Sequence, residues 1–326
     1  MRRHANSSGY RGVLIDGEDV KHGYLIEGRF EESRIDFEDF VFTPTFFNAH
    51  THLGDAIAKD PPFTTLSFLV APGGYKFKIL DNHSTKDLRD ALLHEVEIAK
   101  SAGTIRFLDF REGGEGGLKS VEGIDCVIPL GRPNSVEEAL KMRCAGFGMS
   151  SVRDHEFEFL CNLRKIARKR EMIFAIHAGE ADCEDVERAL ELEPDFVVHM
   201  NSCGEMIKLF IEKEIPIVSC IRSNFFFGLE KPEVYKKLSS YEKWLLGTDN
   251  AMLFPPSMLE EIHFAAIVVK NDSAVFKASF RGFEIFKEVP GYIVFHRRRN
   301  LRNAKNLLST IVRRAGFEDI ETIILP

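Results

Sequence analysis

Phe46-Phe47-Asn48-Ala49-His50-Thr51-His52-Leu53-Gly54-Asp55 is the stretch whose reading decides the fold. An apolar run leads into two histidines at i and i+2, and on a strand those side chains point to one face. Two imidazoles on one face form half of a site for zinc or a similar ion; the bland alternative is an ordinary polar pair. Three later stretches repeat the pattern, a short apolar run ending in a residue that can bind metal or move protons. They are Ile176-His177-Ala178-Gly179-Glu180, Val198-His199-Met200 and Gly247-Thr248-Asp249-Asn250.

Working outward, apolar runs alternate with helical patterns. The runs are Phe47–His52, Thr104–Phe110, Cys126–Leu130, Ala145–Met149, Ile173–His177, Phe196–His199, Ile217–Ile221 and Trp244–Thr248. Between them, Thr85–Ala102, Ser135–Met142, Asp154–Arg170, Glu184–Leu192 and Gly204–Lys213 read as helices; Leu88, Ala91, Leu92, Glu95, Ile98 and Ala99 approximate a 3.6-residue stripe. Strands alternating with helices imply parallel pairing through right-handed crossovers. Eight units imply a closed (β/α)8 barrel, whose active site lies at the C-terminal ends of the strands. Each candidate polar residue sits at such an end. Outside this region, Val13-Leu14-Ile15, His22 to Ile26 and Phe40-Val41-Phe42 carry hairpin signals, and Tyr292 to Phe295 and Thr322 to Leu325 read as two more strands. The expected fold is α/β, a TIM-type barrel over 45–289 with a small β-sandwich-like domain built from 1–44 plus 290–326.

The ordered set H-x-H, H-A-G-E, a lone His and G-T-D, each at a strand end, resembles the amidohydrolase superfamily of metal-dependent hydrolases over nearly the whole chain. The H-x-x-E form of the second motif is most similar to the deaminase and chlorohydrolase branch. The resemblance implies that His50, His52, His177 and Asp249 hold one divalent transition metal, Zn²⁺ first, with Fe²⁺ or Mn²⁺ as alternatives. It also implies that Glu180 carries protons between water, ring nitrogen and leaving amine, that His199 hydrogen-bonds the attacking water, and that Asp249 can accept a proton. Taken singly, His177 reads equally as a core histidine, Asp249 as a helix cap and Glu180 as a carboxylate suited to a helix N-terminus. The fourth run has no lysine to bridge two metals, so a single ion is expected. Pro44-Thr45 stands where the family usually has Pro-Gly.

Candidate substrate-binding residues are Arg111 after the second run and Arg222 and Asn224 after the seventh. Either arginine suits an anionic or carbonyl-bearing group, while Arg111 with Glu112 reads equally as a structural ion pair. Phe225-Phe226-Phe227 reads as a stacking platform or as packing. Pro61 to Leu80 reads as a shaped loop over the barrel mouth. The expected activity is hydrolytic deamination of an amino-substituted N-heterocycle of purine, pyrimidine or pterin type. The alternatives are an amide, lactam or triazine hydrolase, and a non-catalytic metal-binding barrel.

Composition sets the outer bounds. The chain has 326 residues, 44% hydrophobic and 29% charged, enough for one large domain. A net charge of -7 offers no basic footprint for nucleic acid. No run approaches a membrane span, and Met1 to Ser8 lacks the apolar core of a signal peptide. Six cysteines without a C-x-x-C read as reduced thiols in a cytoplasmic protein. The expected partner is a small-molecule substrate, with a homodimer allowed and neither nucleic acid nor membrane.

Overall fold

The computed structural model describes residues 9–17, 19–36, 38–71 and 73–326. The reading of Met1 to Ser8, the first residues assigned to the small domain, and Pro72 of the barrel-mouth loop lie outside these residues.

Eight successive barrel strands pair in sequence order: Phe46–His52, Thr104–Arg111, Val127–Gly131, Gly146–Met149, Ile173–Ala178, Phe196–His199, Ile217–Ser219 and Trp244–Leu246. Every pairing is parallel. The last strand resumes at Asp249–Asn250, and this piece pairs with the first strand, Asp249 opposite Thr51. Between the two pieces Gly247 N–H donates to Ser219 O at 3.0 Å and Thr248 N–H donates to His50 O at 3.0 Å, closing the ring. The Asn48 side chain staples the seam, donating to Thr248 Oγ1 at 2.7 Å and accepting from Thr248 N–H at 3.2 Å.

Alternation sorts the strand residues. Phe47, Leu108, Phe110, Leu130, Ala175, Val198, Val218 and Leu245 fill the barrel interior. Phe147, Phe174, Ile176, Val197, Ile217 and Leu246 face the helices outside. The expected helices form with frayed ends trimmed, for example Thr85–Ser101, begun by a Ser84/Asp87 capping box, and Phe157–Lys169.

The chain ends share one six-stranded sheet, in the order Ile320–Ile324, Tyr292–His296, Phe40–Pro44, Tyr10–Ile15, Val20–Ile26, Arg29–Glu32. All neighbours are antiparallel except Tyr10–Ile15 beside Phe40–Pro44. Val13, Ile15, Val41, Ile293 and Phe295 join the large core that includes the helices outside the barrel, and Leu14, Leu25, Phe42 and Val294 form a separate cluster. Arg29–Glu32 had no apolar alternation to mark it. It is positioned by a tight turn in which Glu27 (φ 48°) and Gly28 (φ 77°) are both left-handed.

One expectation is corrected. Cys183 and Cys203 form a disulfide, with Cα atoms 5.4 Å apart, between the loops that follow the fifth and sixth strands. Their spacing of 20 residues follows no framework pattern, so only the barrel, by bringing neighbouring strand ends together, makes them partners. The other four cysteines are free. Among the described residues no helix is long and apolar enough to cross a membrane.

Candidate metal centre and its cavity

His50 and His52 end the first strand with their rings 4.9 Å apart. The register against the second strand shifts between Asn48 and Thr51. Such a bulge re-aims side chains near a site, and here both imidazoles turn toward the barrel axis, where His50 packs 4.4 Å from the Phe110 ring. His177 ends the fifth strand in the same alternation as the inward Ala175. His199 would face outward by alternation after Val198; its φ of 80°, and that of Met200 at 58°, turn it in. Asp249 also sits in the left-handed region, with φ 62°. Such strain in residues other than glycine collects where function over-determines the backbone.

The polar atoms converge. His50 Nε2 lies 3.2 Å from His177 Nε2 and 3.3 Å from Asp249 Oδ1, and His52 Nε2 lies 3.6 Å from that same oxygen. His177 Nδ1–H donates to Met149 O at 2.8 Å. That bond fixes the tautomer, so His177 Nε2 is a bare lone pair aimed at His50. Burial pushes His50 down to about 3 and His177 well below its usual value, so both rings are neutral. Burial also works to raise Asp249, but the hydrogen bond with His50 and the other imidazoles around it outweigh burial and hold the carboxylate well below its usual range. Neutral imidazoles and one carboxylate converging on one point fit a divalent cation. His50, His52 and Asp249 form one candidate ligand group, and His50, His177 and His199 form another that overlaps it. The fourth strand brings the Met149 carbonyl to this region.

Glu180 and His199 stand beside this cluster, Glu180 Oε1 3.5 Å from His199 Nε2. Burial, then the Asp249 and Asp185 carboxylates, push Glu180 well above the usual carboxylate range. Burial lowers His199 to about 4. A cavity of about 540 Å³ opens above, walled by His52, His177, Glu180, His199 and Asp249 on the barrel side. The loop after the first strand forms its other wall, through Leu66 and Val70 of the Leu66–Val70 helix and Lys76 and Phe77 of the Tyr75–Leu80 helix.

The structure does not bring Arg111, Arg222 or Asn224 to the cavity wall. Arg111 is buried against Glu112 (3.2 Å) and Asp109 (3.5 Å). Arg222 is spent on Glu261 at 2.6 Å, Glu260 at 2.9 Å and the Pro255 carbonyl, tying the Ile221–Phe226 helix to the Met258–Val269 helix. Asn224 lies beneath His199, 3.3 Å from its Nδ1. Of the phenylalanine run only Phe227 lines the cavity; Phe226 stacks on Phe63 of the loop and Phe225 packs on Phe264.

Several contributors carried no sequence signal. Ser223 Oγ donates to Asp249 Oδ2 at 2.5 Å. Buried Lys76 joins Asp55 (3.1 Å) and Glu112 (2.8 Å), and Glu112 Oε1 in turn lies 2.9 Å from His52 Nδ1. A lysine in a Gly-rich loop reads as a surface charge until the loop is folded down.

No family model matches the chain. A protein of Archaeoglobus fulgidus named "Putative aminohydrolase" is 54% identical over 318 residues, spanning 97% of this chain and 96% of that one. Among solved structures, an adenosine deaminase from Xanthomonas campestris with bound zinc is similar at TM-score 0.76 and 14% identity, over 98% of this chain and 92% of that one. A guanine deaminase from C. acetobutylicum with bound guanine is similar at TM-score 0.74 and 14% identity, over 97% and 98%. At such identities these two structures speak for the fold.

Proposed function

Because the chain belongs to the amidohydrolase superfamily, we propose that it is a metal-dependent hydrolase that removes an amino group from an N-heterocycle, with the site on a 45–289 barrel flanked by a 1–44 plus 290–326 domain. His50, His52, His177 and Asp249 would hold the ion, and three nitrogens with one carboxylate oxygen suit Zn²⁺. When bound, the ion lowers the pKa of a water toward neutrality. Asp249, held by Ser223 and kept well below the usual carboxylate range, would be the residue placed to accept a proton from the attacking water. Glu180, pushed up by burial and by two neighbouring carboxylates, is the group on the cavity wall that would deliver a proton to a ring nitrogen as the adjacent carbon is attacked. The same carboxylate, once ionised, accepts a proton and returns it to the departing amine.

The observation that carries this reading is the place of the Glu180 carboxyl, on the cavity wall with Oε1 3.5 Å from His199 Nε2 and beside the candidate ligands, where burial pushes it up. Breaking an aromatic C=N by water needs a proton donor at the ring nitrogen, and an amide hydrolase needs one less. The cavity leaves room beyond a single ring, and the apolar loop wall suits a flat heterocycle. The zinc-bound adenosine deaminase and the guanine-bound guanine deaminase, alike in fold, support this choice.

The test is ammonia release by metal-loaded protein against a panel of aminopurines, aminopyrimidines and aminopterins, with triazines, amides and lactams as the competing panel. Turnover in the first panel is expected. Activity confined to the second would overturn the deaminase reading.

A further inference from the structure

We infer that Tyr235 and Asn224 are positioning residues that lock His199 as the Nε2–H tautomer, so that it serves the reacting centre as a hydrogen-bond donor and not as a metal ligand. The inference rests on the hydrolase reading for its consequence in catalysis, but the tautomer itself can be observed without any substrate.

His199, Asn224 and Tyr235 are all buried. Tyr235 belongs to the Pro232–Leu238 helix and Asn224 to the Ile221–Phe226 helix, which starts where the seventh strand ends. The Tyr235 hydroxyl donates to Asn224 Oδ1 at 3.0 Å. Burial pushes this phenol above its usual range, so it keeps its proton. The hydroxyl proton is directed at Asn224, and the amide must offer it Oδ1. That orientation turns Asn224 Nδ2 toward His199 Nδ1, 3.3 Å away. An amide N–H can only donate, so Nδ1 is the acceptor and the single proton of the neutral imidazole resides on Nε2. With the amide reversed, the phenol oxygen would face the Nδ2 donor and its own buried proton would lose Oδ1 as acceptor, at a cost of roughly the full desolvation of a hydroxyl.

His199 thereby differs from His177 although both rings face one cavity. The His177 ring gives its proton to the Met149 carbonyl on the far side and presents a lone pair. The His199 ring is given a proton donor on the far side and presents N–H, 3.5 Å from Glu180 Oε1. The fold therefore assigns one imidazole to a cation and the other to oxygen, through the polarity of what stands behind each ring. Ser223 and Asn224, neighbours on one helical turn, hold Asp249 and His199 respectively, so this turn sets both.

The test is long-range ¹H–¹⁵N spectroscopy of ¹⁵N-histidine-labelled, zinc-loaded protein, with His199 assigned through His199→Gln. A protonated Nε2 and a bare Nδ1 are expected; the reverse tautomer, or a zinc-bound Nε2, would overturn the proposal while leaving the hydrolase reading intact. Asn224→Asp replaces the donor with an acceptor and should invert the tautomer. It should also alter the visible spectrum of the cobalt-substituted protein, as a fourth imidazole lone pair becomes available to the ion. On any substrate found by ammonia release, kcat should fall by roughly 10²-fold or more with KM nearly unchanged. If Asn224→Asp does not fold, Tyr235→Phe is read instead. It removes the orienting hydroxyl at little change in volume, and it should give a mixture of both tautomers. An unchanged tautomer in the folded variant, with kcat intact, would refute the lock.

Discussion

Replacing Lys76 with methionine tests how firmly the barrel-mouth loop is held to the centre. Lys76 is buried with its Nζ 3.1 Å from Asp55 and 2.8 Å from Glu112. At an effective dielectric of about 20, each contact amounts to roughly 5–6 kcal/mol of gross attraction. Most of that is offset by desolvation of the three groups, and removing one partner of such a buried set leaves a net loss of about 3–5 kcal/mol. Burial opposes ionisation of Glu112, but Lys76, then His52 and Arg132, hold it well below its usual range. A depressed carboxylate contributes stability above its unfolded value and loses it as pH falls through the folded one. The gap between wild type and Lys76→Met should therefore be full at pH 7 and shrink below about pH 4.5, where the orphaned carboxylates take up protons. Urea denaturation of the metal-free proteins at pH 7 and pH 4 measures both numbers, free of any contribution from metal loss on acidification. A variant within about 1 kcal/mol of wild type at pH 7, or a gap that does not narrow in acid, would refute the reasoning.

Three further outcomes are expected. Glu180→Gln keeps the size of the side chain and removes its basicity; metal content and folding should remain, with turnover down roughly 10²–10⁴-fold, as read by elemental analysis beside ammonia release. Asp249→Ala should sharply reduce metal retained on purification without chelator, where wild type is expected to carry about one ion per chain. Gly247→Ala would place a Cβ 2.8 Å from the backbone N and O of His50, and thermal denaturation should show a loss of about 1–3 kcal/mol, with weaker metal binding measured by competition with a chelator.

The sequence made the strand ends legible because polarity there is abrupt. His50, His52, His177, Glu180, His199 and Asp249 each interrupt or follow an apolar run, and closing the ring brings all six together. What stands behind them was not legible. Arg222 and Asn224 follow the seventh strand as a binding residue would, yet Arg222 turns to Glu261 of a helix nearly forty residues on, and Asn224 turns beneath His199. Arg111 likewise stays within its own strand's carboxylates. A strand end specifies position along the axis; which way a long side chain leaves it depends on charges that only tertiary structure brings near. The same limit hid Lys76, the Cys183–Cys203 pair and the polar strand Arg29–Glu32.

The sheet made from the chain ends carries a consequence for biosynthesis. Phe40–Pro44 lies between Tyr10–Ile15 and Tyr292–His296, and Gly291 N–H reaches the Thr45 hydroxyl across 246 residues. A nascent chain leaving the ribosome therefore displays one open edge of Phe40–Pro44, with Val41 and Phe42 on it, throughout synthesis of the barrel. That edge is an invitation to intermolecular pairing. Its neighbour arrives only after the whole barrel has been translated. A chain arrested just before Tyr292 would hold every residue of the candidate centre and still expose this edge, so its failure would be one of aggregation and not of metal chemistry.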